Sequence, residues 1–127
     1  MLKSLKASGF SLIELMIVLV IMAILISFAI PSYQHYLRHA RRRQAEQQLY
    51  QIALDFEAYY HKHLSYLNVT LPRAIDNQYY RFKINLLNQY NFTVVAIPIS
   101  SQQHDRCGIL SINQWQQKQP DQNACWD

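Results

Sequence analysis

A single apolar run near the N-terminus limits what this 127-residue chain can fold into more than any other feature. Residues 10–30 are 21 consecutive positions in which Glu14 is the only strongly polar side chain, and Ser11 and Ser27 are the only other polar residues. As a helix, this run is about 31 Å long, which matches the roughly 30 Å hydrocarbon core of a bilayer. The sequence therefore predicts one membrane-spanning helix that begins just after Gly9.

A short basic segment precedes the apolar run. Residues 1–9, MLKSLKASG, carry Lys3 and Lys6, which the positive-inside rule places in the cytoplasm. Everything after Ile30 then lies outside the cytoplasm. A secretory signal peptide is the alternative, but it has an apolar core of about 7–15 residues followed by a small-residue cleavage site. Because this run is longer and is followed by Pro31, we expect a retained membrane anchor with processing ahead of it.

The carboxylate of Glu14 is unusual at membrane depth, where it costs about 2.5–3.5 kcal/mol. Lying only five residues into the span, its side chain can snorkel to the interface. Alternatively, a cut after Gly9 would give Phe10 a new α-amino group. Phe10 and Glu14 are four residues apart and therefore share one helix face. The new cation can neutralise Glu14 in its own chain or in a neighbour packed alongside.

The order of these residues resembles a known signature. Residues 9–14, GFSLIE, follow a basic leader and precede an apolar run that ends in IPSY at residues 30–33, as in the prepilin signature of type IV pilins. The resemblance implies that a prepilin peptidase cuts after Gly9 and methylates the new N-terminal Phe10. It also implies that Glu14 is needed for filament assembly.

The chain beyond Pro31 keeps a helical pattern. We predict one long helix from Phe10 to His63, because neither Gly nor Pro interrupts residues 32–71. Proline inside a helix removes a hydrogen bond, so a kink is expected at Pro31. The second half is amphipathic and should bury one stripe against the rest of the chain. The apolar positions are Tyr33, Tyr36, Leu37, Ala40, Ala45, Leu49, Ile52, Ala53, Phe56, Tyr59, Tyr60 and Leu64.

The C-terminal half is typical of a small antiparallel sheet. Apolar and polar residues alternate from Tyr79, with Tyr80, Phe82, Ile84 and Leu86 on one face. Polar turns separate the predicted strands, which favours a meander packed on the helix and hence an α+β fold. After a loop at 64–78, the expected strands are 79–86, 90–98, 108–112 and a weak fourth at 115–119, with Phe92, Val94 and Ala96 facing the helix and a polar turn at 100–105.

Two cysteines, Cys107 and Cys125, are 18 positions apart and form the only possible pair. Outside the cytoplasm such a pair is usually oxidised, and closing this loop is worth about 3 kcal/mol in the chain-entropy model. With this pair, the whole chain resembles type IVa pilins, specifically small PilE-like and minor pilins. The resemblance implies a leader at 1–9, an assembly helix at 10–30 and a pilin domain at 31–127. It departs from the family at residues 115–117, where related chains often have a glycine turn.

A basic cluster follows the predicted membrane exit. Arg41, Arg42 and Arg43, together with Arg38, can attract anionic headgroups or nucleic acid. The alternative is a solvated helix face in which Arg42 pairs with Glu46 at the i,i+4 spacing.

The resemblance implies a structural subunit of a type IV pilus. Before assembly, the apolar helix of such a subunit lies in the lipid of the inner membrane, and the C-terminus lies in the periplasm. The subunit is then assembled with other pilin subunits by inner-membrane machinery into an extracellular filament for motility, adhesion or DNA uptake. A type II secretion pseudopilin shares the leader and stays an alternative.

DNA binding is the second functional hypothesis. Cleavage after residue 9 lowers Lys plus Arg from 12 to 10 and leaves Asp plus Glu at 8, so the net charge of +4 becomes +2. A basic envelope protein can bind DNA, and tryptophan can stack on bases. The candidate residues are Arg73, Arg81, Lys83, Arg106, Lys118, Trp115 and Trp126.

We expect neither an enzyme nor a cofactor or metal site. Ser100, Ser101, His104 and Asp105 are adjacent in sequence, but a catalytic triad is defined by spatial geometry. The chain lacks a nucleophile elbow, a phosphate-binding loop and a zinc motif. His35 and His39 have helical i,i+4 spacing without a third ligand at a clear distance.

Overall fold

The computed structural model describes residues 7–122 and 124–126. The chain divides into two compact units, and the boundary lies between Tyr36 and Leu37. The helix α1 is continuous over Leu12–His63, which confirms the predicted long helix apart from its first two residues. The other elements are β1 (Tyr80–Leu87), β2 (Phe92–Pro98), a 3₁₀ helix (Ser100–His104), β3 (Leu110–Asn113) and β4 (Lys118–Gln119).

The N-terminal unit is the apolar part of α1. Every described residue as far as Tyr36 is exposed, including the large apolar side chains of the predicted span. The helix continues through Pro31, while the expected kink there stays a prediction. Ser27 satisfies its hydroxyl locally by donating to the Ile24 carbonyl at 2.6 Å. This segment is long and apolar enough to cross a membrane.

The C-terminal unit is an α+β domain in which α1 packs on a four-stranded antiparallel sheet of order β1-β2-β3-β4. The predicted meander is therefore confirmed. Phe92, Val94 and Ala96 are buried, as expected for residues facing the helix. Phe56 of α1 meets Phe92 edge to face with ring centroids 5.0 Å apart. The core also contains Ala45, Leu49, Ile52, Ala53, Tyr66, Val69, Tyr80, Phe82, Leu110, Ile112 and the two cysteines.

The regular alternation predicted for β1 is wrong at its end. The pairing register with β2 shifts between Ile84 and Leu86, because one extra residue forms a β-bulge. After the bulge, Leu86 is exposed, and Leu87 packs against the core instead. A one-residue insertion reverses the faces of all following side chains because the side-chain period of a strand is two.

The β3–β4 turn forms without a glycine. Gln116 takes the left-handed conformation with φ of +58°. The side chain of Asn113 stabilises the turn, since its Oδ1 accepts from the backbone N–H groups of Trp115 (3.0 Å) and Gln117 (2.9 Å). The predicted fourth strand exists, but it is limited to Lys118–Gln119.

The loop before β1 supplies side-chain acceptors to that strand. Asn77 Oδ1 accepts from the backbone N–H groups of Tyr79 and Tyr80, both at 2.8 Å. Asp76 Oδ1 accepts from the N–H of Phe82, also at 2.8 Å. These bonds cover the start of an edge strand that would otherwise expose unpaired donors.

The predicted disulfide is present. Cys107 and Cys125 are bonded, with their Cα atoms 5.7 Å apart. The bridge closes a segment that contains β3, the β3–β4 turn and β4.

Candidate functional site

The predicted processing residues lie ahead of the helix. Gly9 and Phe10 are exposed and non-helical, and α1 begins two residues after Phe10. Ser11 caps the helix: its Oγ accepts from the Glu14 N–H at 3.2 Å, and its carbonyl accepts from the Leu15 N–H, also at 3.2 Å. Serine followed three residues later by glutamate is the capping-box spacing. The signal for this cap is present in the sequence as S-L-I-E at residues 11–14.

Glu14 therefore has a local role at the start of the helix in addition to the assembly role predicted for it. It lies in the first turn of α1, where a carboxylate interacts favourably with the positive end of the helix dipole. Within the described residues, no side chain bonds to its carboxylate, and the whole first turn is exposed. The single chain thus presents an apolar surface with one unpaired carboxylate.

The interpretation of Arg42 as part of a solvated helix face is wrong. Its side chain is buried, and Nη1 donates to Asp105 Oδ1 at 2.7 Å. Nη2 donates to the carbonyl of Ala124 at 3.2 Å. The expected i,i+4 partner Glu46 is also buried and lies 4.0 Å from Nε. Arg42 therefore lies within an ion-pair network and is not available to an external anion.

The rest of the basic cluster is also partly engaged in the fold. The Arg41 guanidinium lies 3.7 Å from the ring centroid of Tyr79, and its Nη1 donates to Ser101 Oγ at 3.3 Å. Arg38 is half-buried, and its carbonyl accepts from Gln102. These contacts weaken the hypothesis that the cluster serves anionic headgroups or nucleic acid.

The predicted polar turn at 100–105 is instead a 3₁₀ helix, Ser100–His104, that buries one residue completely. Gln102 Nε2 donates to the Arg38 carbonyl at 2.9 Å and to Tyr80 Oη at 3.0 Å, which connects three elements. Burial raises the pKa of the Tyr80 hydroxyl to about 12, although the bond from Gln102 acts in the opposite direction. The sequence offered no signal for this arrangement, because Gln102 resembles its exposed neighbours.

Three loops meet at the end of the domain where α1 ends. The Tyr66 N–H donates to the Gln89 carbonyl at 3.0 Å, which joins the α1–β1 loop to the β1–β2 turn. Gln114 Nε2 donates to Asn91 Oδ1 at 2.7 Å, which joins that turn to the β3–β4 turn. We call residues 61–68, 88–91 and 113–117 the loop-end surface.

The loop-end surface has an unusual composition. It contains Lys62, two histidines and many amides but no acidic residue. Two aromatic side chains project into solvent: Trp115 is 70% exposed and Tyr90 is 61% exposed. Exposed aromatic rings are suited to stacking on the bases of a polyanion. One carboxylate adjoins the surface, since Glu57 of α1 accepts from Tyr66 Oη at 2.7 Å.

The other DNA-binding candidates do not form one stripe with this surface. Arg81 and Lys83 are exposed on the face of β1 that points away from α1. Lys118 instead lies over Tyr50, with Nζ 4.7 Å from the ring centroid. Trp126 packs edge-on against the same ring at 6.0 Å. Arg73 and Arg106 are exposed in separate loops.

Two of the residues at 100–105 that were weighed as a catalytic group make structural contacts instead. Asp105 bonds to Arg42, and Ser101 accepts from Arg41. Across residues 7–122 and 124–126, no group of three His, Cys, Asp or Glu side chains is arranged to hold a metal ion.

Comparison with solved structures identifies the architecture. A type IV pilin from Shewanella oneidensis superposes with a TM-score of 0.64 at 27% identity, covering 71% of this chain and 98% of that one. The Neisseria meningitidis non-core minor pilin PilV has the same fold, with a TM-score of 0.58 at 18% identity, covering 65% of this chain and 85% of that one. A comparison with curated protein sequences gave no match.

The apolar helix, the sheet and the N-terminal motif define a type IV pilin. The prokaryotic N-terminal methylation motif matches residues 4–30. The family described as the type IV minor pilin ComP, DNA uptake sequence receptor, matches residues 31–111, which is more than half of the chain. The chain belongs to this family of minor pilins. It is thus a structural subunit of a type IV pilus that assembles with other pilin subunits, and an anchor in the inner membrane fits its apolar helix.

Proposed function

We propose that this minor pilin is a DNA receptor for DNA uptake and that the loop-end surface contacts the DNA. The observation that carries the proposal is the meeting of three acid-free loops around two exposed aromatic side chains, Trp115 and Tyr90. The family description, which names a DNA uptake sequence receptor, supports the same function.

The physical argument concerns charge and stacking. DNA repels carboxylates and attracts cations through its phosphates, so the absence of Asp and Glu from the three loops lowers the electrostatic obstacle to binding and leaves Glu57, beside Tyr66, as the carboxylate that adjoins them. Lys62 at this end provides positive charge. Amide side chains can donate and accept at base edges, while an exposed tryptophan can stack on a base or insert between steps.

The test measures binding of a fluorescent DNA duplex, and of its single strand, to the full mature chain in detergent. Trp115→Ala should raise Kd by about 5- to 150-fold, since stacking is worth about 1–3 kcal/mol per base. Lys62→Gln should weaken binding and lower the slope of log K against log salt concentration by about one.

The matched control is Leu54→Ala. Leu54 is an exposed apolar side chain on α1, outside the loop-end surface, so its truncation should leave DNA binding unchanged. Absence of binding by the wild-type chain at low salt would contradict the receptor function. Wild-type binding that survives Trp115→Ala combined with Tyr90→Ala would instead place the DNA elsewhere.

We further propose how the subunit reaches the filament. A prepilin peptidase removes residues 1–9 and methylates Phe10. Residues 10–30 then span the inner membrane, and residues 31–127 form the domain outside the cytoplasm. Assembly machinery moves the subunit into the filament core, where Glu14 pairs with the Phe10 amine of a neighbour. The exposed non-helical position of Gly9 and Phe10 and the unpaired carboxylate of Glu14 support this sequence of events.

Mass spectrometry of the filament-associated protein checks the processing step. We expect an N-terminus at Phe10 that carries a methyl group. Subunits in filaments that still begin at Met1 would contradict cleavage.

A further inference from the structure

A non-covalent link runs beside the disulfide. The guanidinium of Arg42 reaches two segments at once: Nη1 donates to Asp105 Oδ1 at 2.7 Å and Nη2 donates to the Ala124 carbonyl at 3.2 Å. Asp105 is two residues before Cys107, and Ala124 immediately precedes Cys125. Arg42 therefore holds the chain to α1 next to both cysteines of the bridge.

Burial makes this link strong. The side chains of Arg42 and Asp105 are 5% and 4% exposed. Charge-assisted hydrogen bonds are stronger than neutral ones, and a low-dielectric environment strengthens them further. If the segment around Asp105 left the domain, Arg42 would lose both its closest counter-charge and the short hydrogen bond that it donates to that segment. Opening the segment is therefore opposed whether or not the disulfide is present.

We propose that Arg42 docks both ends of the segment 107–125 against α1 before the cysteines are oxidised, so that the disulfide seals a segment already in place. Closing a loop of this length costs conformational entropy. Contacts that hold both ends reduce that cost and raise the effective concentration of one thiol near the other. Because linkage is reciprocal, the disulfide must strengthen the Arg42 contacts by the same factor.

The docked segment includes a functional part of the domain. It contains β3, β4 and the turn that carries Trp115. The loop-end surface should therefore keep its arrangement in the reduced protein as long as Arg42 is present.

The first experiment measures the thiol–disulfide equilibrium of the full chain in detergent with a glutathione buffer. Cys107 and Cys125 transfer two electrons and two protons to oxidised glutathione, which becomes two reduced molecules as the bridge forms. Thiol trapping and mass spectrometry give the ratio of oxidised to reduced protein. Arg42→Met should lower the equilibrium constant for bridge formation by about tenfold or more.

Two further variants give the comparison its controls. Asp105→Asn removes the carboxylate charge but keeps an acceptor, so it should lower the constant less than Arg42→Met. Arg73→Gln removes an exposed positive charge in the α1–β1 loop, which is not adjacent in sequence to either cysteine, so it should leave the constant unchanged.

Hydrogen exchange on the combined variant Cys107→Ser, Cys125→Ser is the second measurement. Amides of β3 and β4 should stay protected with Arg42 present and lose protection when Arg42→Met is added. If Arg42→Met also unfolds α1 and β1, the Asp105→Asn equilibrium decides. Equal equilibrium constants in the wild type, Arg42→Met and Asp105→Asn would overturn the proposal, as would loss of β3 and β4 protection in the serine variant that retains Arg42.

Discussion

The two parts of α1 differ in whether their charged side chains have partners within the chain. In the first part, as far as Tyr36, apolar side chains are exposed and the carboxylate of Glu14 has no bonding partner among the described residues. In the second part, the buried stripe includes Arg42 and Glu46, and the charge of Arg42 is paired within the same domain. One part satisfies its charges internally, whereas the other leaves a charge and an apolar surface exposed.

This difference separates folding from assembly. The domain part can be stable as a single chain because its apolar groups and its buried ion pair are satisfied by its own residues. The N-terminal part presents apolar surface that only lipid or other subunits can cover. Substitutions at charged residues in the two parts should therefore affect different measurements.

The largest expected effect is at Glu14. Glu14→Ala should abolish or sharply reduce filaments, because a neighbour's Phe10 amine would enter the apolar filament core unpaired at a cost of about 3–5 kcal/mol. Membrane insertion and cleavage should survive, since an expensive polar group is removed from the span. The measurement is filament yield beside the amount of mature membrane-bound subunit in the same cells.

The capping box allows a sharper version of this test. Glu14→Gln keeps a side chain that suits a capping box but removes the charge. Ser11→Ala removes the cap but keeps the charge. Assembly should fail in Glu14→Gln and continue in Ser11→Ala if charge pairing is the function of Glu14. Normal filaments from Glu14→Gln would contradict the pairing and leave helix capping as its role.

The next effect is expected in the domain. Arg42→Met should lower the free energy of unfolding by about 3–5 kcal/mol, because it strands the buried carboxylate of Asp105. Arg106→Gln at an exposed site should change it by about 0.5 kcal/mol at most. Urea unfolding of the full chain in detergent measures both. An unchanged midpoint in Arg42→Met would show that the ion pair contributes no net stability.

A smaller effect should appear at alkaline pH. The pKa of Tyr80 is raised from 10.0 to about 12 by burial, so the folded state keeps its proton where the unfolded state has lost it. The stability from this group is complete below pH 10 and is lost as pH rises through 12, a fall on the order of 3 kcal/mol. Tyr80→Phe should flatten the stability profile between pH 10 and 12. A wild-type slope retained by Tyr80→Phe would assign the effect to another group, such as Tyr66, whose pKa is also raised by burial.

The smallest effect is expected in the β3–β4 turn. Gln116 has a φ of +58°, a conformation that costs a residue with a Cβ about 1–2 kcal/mol. Gln116→Gly removes this strain but increases the entropy of the unfolded chain, so a gain of up to about 1 kcal/mol is expected. Thermal unfolding checks the change. A clear loss of stability would show that the Gln116 side chain makes a contribution larger than its backbone strain.

The sequence predicted the elements better than their polar contacts. The 3.6-residue period predicted α1, and the alternation from Tyr80 to Ile84 predicted β1. The β-bulge after Ile84 was not predictable, because the stretch 84–87 reads equally well as a regular strand. Local periodicity reports which face a residue occupies, but it does not report an inserted residue.

Arg42 shows what a closer reading of the sequence can add. It lies three residues before Ala45 and seven before Leu49, so it continues the buried stripe of α1. That position was a signal for burial. Its partner Asp105 is 63 residues away in the chain, and no local pattern connects the two. The composition of the loop-end surface was likewise visible, but the meeting of its three loops depends on tertiary contacts.

The start of α1 at Leu12 also bears on the proposed cut after Gly9. Proteases bind extended backbone, and in the N-terminal unit the described residues ahead of Leu12 are non-helical. A cut after Gly9 leaves an ammonium group on Phe10, close to the positive end of the helix dipole, where a cation is unfavourable by about 0.3–1 kcal/mol. Glu14, in the first turn, has the charge that offsets it. The same carboxylate that is costly in the membrane therefore makes the newly formed end of the helix electrostatically acceptable.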